Sequence, residues 1–251
     1  MEKFIKNLAR DAGRILRDGF RSKLKINYKS GNIFDIVTQY DLKSKEFIIG
    51  KILQKYPRHG IMAEESGYNN KRDNIWIIDP LDGTRAFSRG IPQFSVSIAF
   101  VSRNKIQLGV IYDPIHDELF FGQSGRGSRL NARRMLVNPT QQLTHALTFL
   151  QFVSNKIPKL HKRVFRFMAE RDVTISQFGS TALAGANVAC GRFDAVVSNR
   201  QSPWDIAAAG LILREAGAKV TDFDNQPYSW QKRQMLAANS TLHKQIIKIL
   251  N

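Results

Sequence analysis

Asn74-Ile75-Trp76-Ile77-Ile78-Asp79-Pro80-Leu81-Asp82-Gly83-Thr84 is the stretch on which the reading of this chain turns. Its apolar run reads as a buried strand. The run stops at two carboxylates three positions apart, and Pro80 and Gly83 then hold the backbone in a tight turn. Two acidic side chains, a carbonyl and free backbone N–H groups are thereby aimed into one small volume. Hard divalent cations need oxygen ligands of this kind, and phosphate needs N–H donors. The rival reading is a plain turn, because Pro-x-Asp-Gly is also an ordinary turn sequence. An EF-hand loop does not fit: it needs ligands at alternating positions and a glycine at the sixth, whereas these acids are spaced i, i+3 with proline between them.

Outward from this turn stand three further acidic sites. Glu64 and Glu65 follow an apolar segment, Gly60–Ala63, that reads as a strand. Asp205 opens the helical sequence Pro203-Trp204-Asp205-Ile206-Ala207-Ala208-Ala209. Asp41 sits at another helix start, three residues after Thr38. A carboxylate at a helix start is commonly a cap, so Asp41 and Asp205 each carry a structural reading beside the chemical one.

The rest of the chain alternates helix and strand patterns. Apolar groups at Phe4, Ile5, Leu8, Ala12, Ile15 and Leu16 predict a helix over 3–20. Ile26–Tyr28 and Ile33–Thr38 predict a hairpin, and 41–56 a helix closed by Pro57. Strands are expected at 75–78, 94–101, 106–112 and 118–122. The glycine-rich 122–127 lacks the Lys-Ser/Thr ending of a P-loop and reads as a hairpin turn. Beyond it come strands at 145–152, 173–178, 193–198 and 235–238, with helices at 157–171, 181–190, 203–216 and 240–250. The fold class is α/β, built of layered sheets and helices. Two subdomains are expected, 1–139 carrying the metal-binding turn and 140–251 completing one compact unit.

Composition narrows the function. With 43% hydrophobic and 24% charged residues, the chain has the make-up of a globular protein. One cysteine, Cys190, excludes an internal disulfide and fits a reducing, cytoplasmic setting. No segment approaches 18 uninterrupted apolar residues, so no membrane span is expected. The amphipathic N-terminus lacks a signal peptide's apolar core. The net charge of +17 suits attraction of anionic substrates, or contact with nucleic acid or an acidic partner. Basic clusters at 126–134, 156–171 and 244–248 come with no recognisable nucleic-acid module. No Gly-x-Ser-x-Gly elbow is present, and the five histidines (His59, His116, His145, His161, His243) show no zinc spacing.

Taken together, the acidic pieces resemble the inositol monophosphatase family of magnesium-dependent phosphatases. The matching segments are Ala63-Glu64-Glu65-Ser66-Gly67, Asp79-Pro80-Leu81-Asp82-Gly83-Thr84 and Trp204-Asp205-Ile206-Ala207-Ala208-Ala209. Phe34–Asp41 and Gly109–Pro114 also fit. The resemblance implies a five-layer αβαβα sandwich of the sugar-phosphatase type, usually homodimeric. It implies two or three Mg²⁺ ions held by Glu64, Asp79, the Leu81 carbonyl, Asp82 and Asp205, with sensitivity to lithium. Gly83 and Thr84 would offer N–H groups to the phosphate, Thr84 with Asp41 would orient the attacking water, and Glu64 would help hold an additional metal. Glu65 would hold a nearby water. Bacterial members include a protein linked to ribosomal RNA transcription, which makes RNA or the transcription machinery a candidate partner.

Substrate choice is where the chain departs from the family. Inositol-directed members place a Glu seven residues before the aspartate of the late Trp-Asp; here that position is Ser198, with Arg200 nearby. Arg85-Ala86-Phe87 replaces the common Thr-Asn-Phe and is similar to relatives acting on histidinol phosphate. Gly83, Thr84, Ser198, Arg200 and Asp205 are the candidate substrate contacts. Inositol 1-phosphate is the leading substrate. Histidinol phosphate, a nucleotide 3′-phosphate, NADP, or a binding role on RNA are the alternatives.

Overall fold

The computed structural model describes residues 1–28, 36–64, 67–68, 72–152, 164–167, 169–171, 173–199 and 201–251. The first layer is a helix pair, α1 (Glu2–Gly19) and α2 (Gln39–Lys55). Between them β1 (Ile26–Tyr28) and β2 (Ile36–Thr38) pair antiparallel as the expected hairpin, whose turn lies outside the described residues.

The second layer is an eight-stranded sheet. Its strands are β3 (Gly60–Ala63), β4 (Gly67–Tyr68), β5 (Asn74–Asp82), β6 (Ser95–Ser102), β7 (Lys105–Asp113), β8 (Glu118–Gln123), β9 (Ser128–Leu130) and β10 (Arg133–Arg134). They run in the order β10-β9-β8-β7-β6-β5-β3-β4, antiparallel except for the β3–β5 pair. A short helix, α3 (Thr84–Ser88), follows β5. The third layer is α4 (Thr181–Ala189) and α5 (Pro203–Glu215). The fourth is a five-stranded sheet of β11 (Leu147–Phe152), β12 (Thr174–Ser176), β13 (Ala195–Asn199), β14 (Lys219–Thr221) and β15 (Gln234–Ala238), in the order β12-β11-β13-β15-β14. The fifth holds α6 (Ser240–Leu250) and helical turns at 164–167 and 169–170. The helix expected over 157–171 is described only in that part.

The periodicity of each element explains its layer. Ile5, Leu8, Ala12 and Leu16 form one stripe of α1 and pack on Val96, Ile98 and Val110 of the sheet. The alternate residues of the same strands, Ala99 and Ile111, face the other way with Ile77 of β5 and pack with α4 and α5. A strand covered on both faces reads as an unbroken apolar run, which is why Ile75–Ile78 carries no polar alternation. The middle helices are apolar all round for the same reason. Close approach there depends on missing side chains. A Cβ on Gly109 of β7 would come within 2.9 Å of the Ala208 carbonyl oxygen in α5.

Most expected elements form within two residues of their predicted bounds. The strand 75–78 is longer than expected, reaching Asp82. The strand expected from residue 145 starts at Leu147, after a 3₁₀ turn at Leu143–His145. The stretch 122–127 is the turn between β8 and β9, closed by the Gln123 N–H donating to the Gly127 carbonyl. The short β4, α3, β9, β10 and β14 lack the length for a periodic signal. Among the described residues no helix is long and apolar enough to cross a membrane.

Candidate metal centre

The acidic turn works through a fault in the sheet. Asp79 pairs with Ser97 and Asp82 with Ser95, so β5 spends one more residue than β6 over this interval. Side chains three positions apart on a regular strand point to opposite faces. The extra residue cancels that alternation and brings both carboxylates to one side. Pro80 lies within the bulge, where the missing N–H costs no ladder bond. Its carbonyl accepts a 2.9 Å bond from Ser44 Oγ of α2, which ties the strand end to the first layer. Gly83 then turns with φ of 98°, in the left-handed region that favours glycine, and α3 begins.

Asp205 arrives from the first turn of α5. One ligand oxygen each from Asp79, Asp82 and Asp205 lie within 4.8 Å of one another. Each acid is held in place by donors to the carboxylate. Asp79 Oδ1 accepts from the Leu81 N–H at 3.0 Å, and Asp205 Oδ2 from the Ser202 N–H at 2.7 Å. Asp82 Oδ2 accepts from Ser180 Oγ at 2.5 Å and from the Ala182 N–H at 2.7 Å. The second oxygens of Asp79 and Asp205 have no hydrogen bond among the described residues.

Electrostatics marks the cluster as incomplete by itself. Burial, followed by the charges of Glu64, Asp82 and Asp205, pushes the Asp79 carboxyl well above its ordinary range. Burial, then Asp82 and Glu64, does the same to Asp205. Burial raises Asp82 to about 6, against the opposing pull of its Ser180 and Ala182 donors. Carboxylates this close resist joint ionisation unless a cation sits among them. The donors are all oxygen, Leu81 also lines the cavity, and two carboxylates keep a free oxygen. That set fits a hard divalent cation.

Asp41 and Thr84 form a second unit. Asp41 Oδ2 accepts from the Thr38 N–H at 2.8 Å and from Thr38 Oγ1 at 2.6 Å, which caps α2. Asp41 Oδ1 accepts from Thr84 Oγ1 at 2.8 Å. Asp41 therefore caps α2 with one oxygen and accepts from Thr84 with the other. Asp205 is likewise a cap and a member of the acid cluster.

These residues surround a cavity of about 230 Å³. Glu64, Asp79, Leu81, Asp82, Gly83, Thr84 and Asp205 line it, with Asp41 behind Thr84. Ser198 does not line it: the side chain is fully buried in β13 and its Oγ has no partner among the described residues. Glu65 and Arg200 lie outside the described residues. Gln151, Thr181 and Gln201 line the cavity unanticipated. The Gln201 amide accepts from Thr181 Oγ1 at 3.2 Å and donates to the Asn199 carbonyl at 3.1 Å, which fixes it in the wall. Ser180, the donor to Asp82, is equally unsignalled, because nothing in its local sequence announces a partner 98 positions away.

The described histidines stand apart from the site. His59 stacks on Tyr56 and accepts from the Trp76 indole at 3.0 Å, His116 pairs with Asp113, and His243 pairs with Thr221. His161 lies outside the described residues.

The chain is similar to known proteins over nearly its whole length. A "Fructose-1,6-bisphosphatase/inositol-1-monophosphatase" of Thermotoga maritima is 34% identical over 252 residues, covering 99% of this chain and 94% of that protein. A "Nus factor SuhB" of Pseudomonas aeruginosa is 35% identical over 250 residues, covering 95% and 91%. The crystal structure of the extragenic suppressor protein suhB of Bartonella henselae superposes with a TM-score of 0.94 at 33% identity, covering 100% of this chain and 98% of that one. The model of the inositol monophosphatase family matches residues 1–251, and the chain belongs to that family.

Proposed function

We propose that this protein is a Mg²⁺-dependent phosphomonoesterase that hydrolyses a small phosphorylated alcohol, with inositol 1-phosphate as the reference substrate. The observation that carries the reading is the bulge in β5, which turns Asp79 and Asp82 to one side, where they meet Asp205 within 4.8 Å. Glu64, Asp79, the Leu81 carbonyl, Asp82 and Asp205 hold two or three ions. Mg²⁺ supplies charge neutralisation at the phosphoryl group and stabilises the departing alkoxide.

The protein's own groups do the positioning. The one hydrogen of Thr84 Oγ1 is shared between Asp41 Oδ1 at 2.8 Å and the Leu81 carbonyl at 3.1 Å, so its lone pairs are left to accept from a water in the cavity. That water is aligned for attack on phosphorus, and its proton has a path through the threonine hydroxyl toward the Asp41 carboxylate. Gly83 and Thr84, where α3 opens, line the same cavity, and their backbone N–H groups serve the phosphate oxygens. The amides of Gln151 and Gln201 contact the alcohol. Lithium inhibits by competing for a cation position. The protein works as a homodimer in the cytoplasm.

The test is phosphate release from inositol 1-phosphate. Release requires Mg²⁺ in the wild type and falls about 10³-fold in Asp82→Asn, on the scale of losing one preorganised electrostatic group. Undiminished turnover in that variant, or in chelator, would sink the assignment. The Nus factor name of one relative and the net charge of +17 favour a second role on RNA or a transcription complex. That role predicts RNA retention that survives Asp82→Asn and weakens steeply with salt.

A further inference from the structure

Two buried serines stand on β6 beside the acidic turn. Ser95 pairs with Asp82 and Ser97 with Asp79, one at each end of the bulge in β5. Directly paired residues share a face of the sheet, so both hydroxyls lie on the carboxylates' side, toward α4 and α5. A buried hydroxyl is costly unless it is bonded, and each of these bonds to one of the two helices that complete the site.

Ser97 Oγ donates to the Trp204 carbonyl at 3.2 Å, in the first turn of α5 and next to Asp205. Farther across the sheet the same helix rests on two glycines. A Cβ on Gly109 of β7 would meet Ala208, and one on Gly122 of β8 would come within 3.1 Å of Ile212. Trp204, Ala208 and Ile212 recur every four residues, so one stripe of α5 lies on three successive strands. Gly109 pairs with Ala99 on one side and Gly122 on the other, which places Gly122 two strands across and two residues along from Ser97. That diagonal is about 12 Å on ordinary sheet spacings. Eight residues of helix rise by the same amount, about 12 Å. The glycines set how closely α5 approaches the sheet, but contact alone lets a helix slide along its axis. The hydrogen bond from Ser97 is directional, and it acts at the end of α5 that carries Asp205.

Ser95 acts through a relay. Ser180 Oγ has one hydrogen, which goes to Asp82 Oδ2 at 2.5 Å. At its other contacts Ser180 Oγ therefore accepts, from the Leu183 N–H at 3.0 Å and from Ser95 Oγ at 3.2 Å. Donation from Ser95 polarises the Ser180 hydroxyl and strengthens its hold on Asp82.

Resting on the metal-dependent phosphatase reading above, we propose that Ser95 and Ser97 are positioning residues for the metal centre. Ser97 holds Asp205 within reach of Asp79, and Ser95 steadies Asp82 through Ser180. The strand that supplies no ligand thus sets the spacing of acids that arrive from β5 and α5.

The experiment titrates the protein with Mn²⁺ and follows the free ion by electron paramagnetic resonance, with no substrate present. Ser97→Ala should raise the dissociation constant about tenfold, and Ser97→Thr, which keeps the hydroxyl, should restore most of the affinity. Ser128→Ala, at a buried serine on β9 three strands from β6, should leave it unchanged. Ser95→Ala should raise it about threefold in the wild-type background and not at all beside Ser180→Ala, where the relay is already cut. Wild-type affinity in Ser97→Ala, no recovery in Ser97→Thr, an equal loss in Ser128→Ala, or additive effects of Ser95→Ala and Ser180→Ala would overturn the proposal while leaving the phosphatase intact. A wild-type protein that binds no Mn²⁺ and releases no phosphate from inositol 1-phosphate in Mg²⁺ would overturn both.

Discussion

The proposed metal and alcohol sides of the cavity are made differently. The metal side takes Glu64, Asp79, Leu81, Asp82 and Thr84 from one short reach of chain, running from the end of β3 to the start of α3. Asp205 joins them from the first turn of α5, Ser44 ties down the Pro80 carbonyl, Asp41 accepts from Thr84, and Ser180 with the Ala182 N–H grips Asp82. The alcohol side takes Gln151 from β11, Thr181 from the start of α4 and Gln201 from the loop after β13. One side is a charged local motif completed by Asp205; the other is assembled wholly from separate elements and is neutral. The lesson is that the chemical step is written compactly, whereas selectivity can drift, because each alcohol-side residue can change without moving the acids.

That contrast can be broken most severely at Gly83. A Cβ there would sit 2.8 Å from the Gln93 carbonyl oxygen, on a backbone with φ of 98°. Gly83→Ala should displace Asp82 and Thr84 together and lower kcat/KM about 100-fold, close to 3 kcal/mol of transition-state stabilisation. It should also lower the melting temperature. Wild-type kinetics in this variant would show that the motif tolerates movement and that the metal side is not rigid.

A second probe uses the opposite pH responses of the two halves in chelator. The Asp82 carboxyl is raised to about 6 in the fold. Below its ordinary range the group is neutral in both states and its contribution is fully present. It is lost as pH rises through about 6, because the folded state must then bury the charge. His243, on α6 behind the five-stranded sheet, behaves in reverse. Thr221 Oγ1 donates to the Asp222 carbonyl at 2.7 Å, so it accepts the Nε2–H of His243 at 2.8 Å. This leaves Nδ1 bare and buried, with no partner among the described residues, and burial lowers the imidazole to about 4. Its contribution is present above the usual histidine range and is lost as pH falls through about 4.

Urea unfolding at pH 4.5 and 7.0 separates the two. Asp82→Asn should gain on the wild type by on the order of 2 kcal/mol more at pH 7.0 than at 4.5, and His243→Gln should show the opposite trend at similar size. Differences independent of pH in both variants would refute this account.

The smallest effects compare one supporting residue from each side. Ser180→Ala removes the 2.5 Å bond to Asp82 and should lower kcat about tenfold, with KM little changed. Gln201→Leu should raise KM several-fold, roughly 1 kcal/mol, with kcat nearly kept. If the two variants exchanged these signatures, the division between chemical and alcohol sides would be wrong.

Much of the metal side is legible in the amino-acid order. The apolar run into Asp79-Pro80-Leu81-Asp82-Gly83-Thr84 signals a strand running into a tight turn, and Asp41 and Asp205 stand at recognisable helix starts. The alcohol side is not legible in that way. Ser198 and Arg200 are candidate contacts because the family resemblance puts a substrate-binding glutamate at position 198, yet Ser198 is buried within β13 while Gln151 and Gln201 reach the cavity. Spacing along a strand tells which face a residue takes, but not whether a neighbouring strand or loop covers it.

The sequence by itself determined the local order: which segments alternate, where the buried strands run, where Gly83 must turn, and which acids are available. Those outcomes follow from sterics and hydrophobic period, which act over a few residues. Tertiary structure alone decided that Ser180 grips Asp82, that Asp205 comes within reach of Asp79, and that amides from β11 and the loop after β13 close the other wall. Such contacts join residues far apart in the chain, and they exist only once burial of the helix and sheet layers has fixed where each element lies.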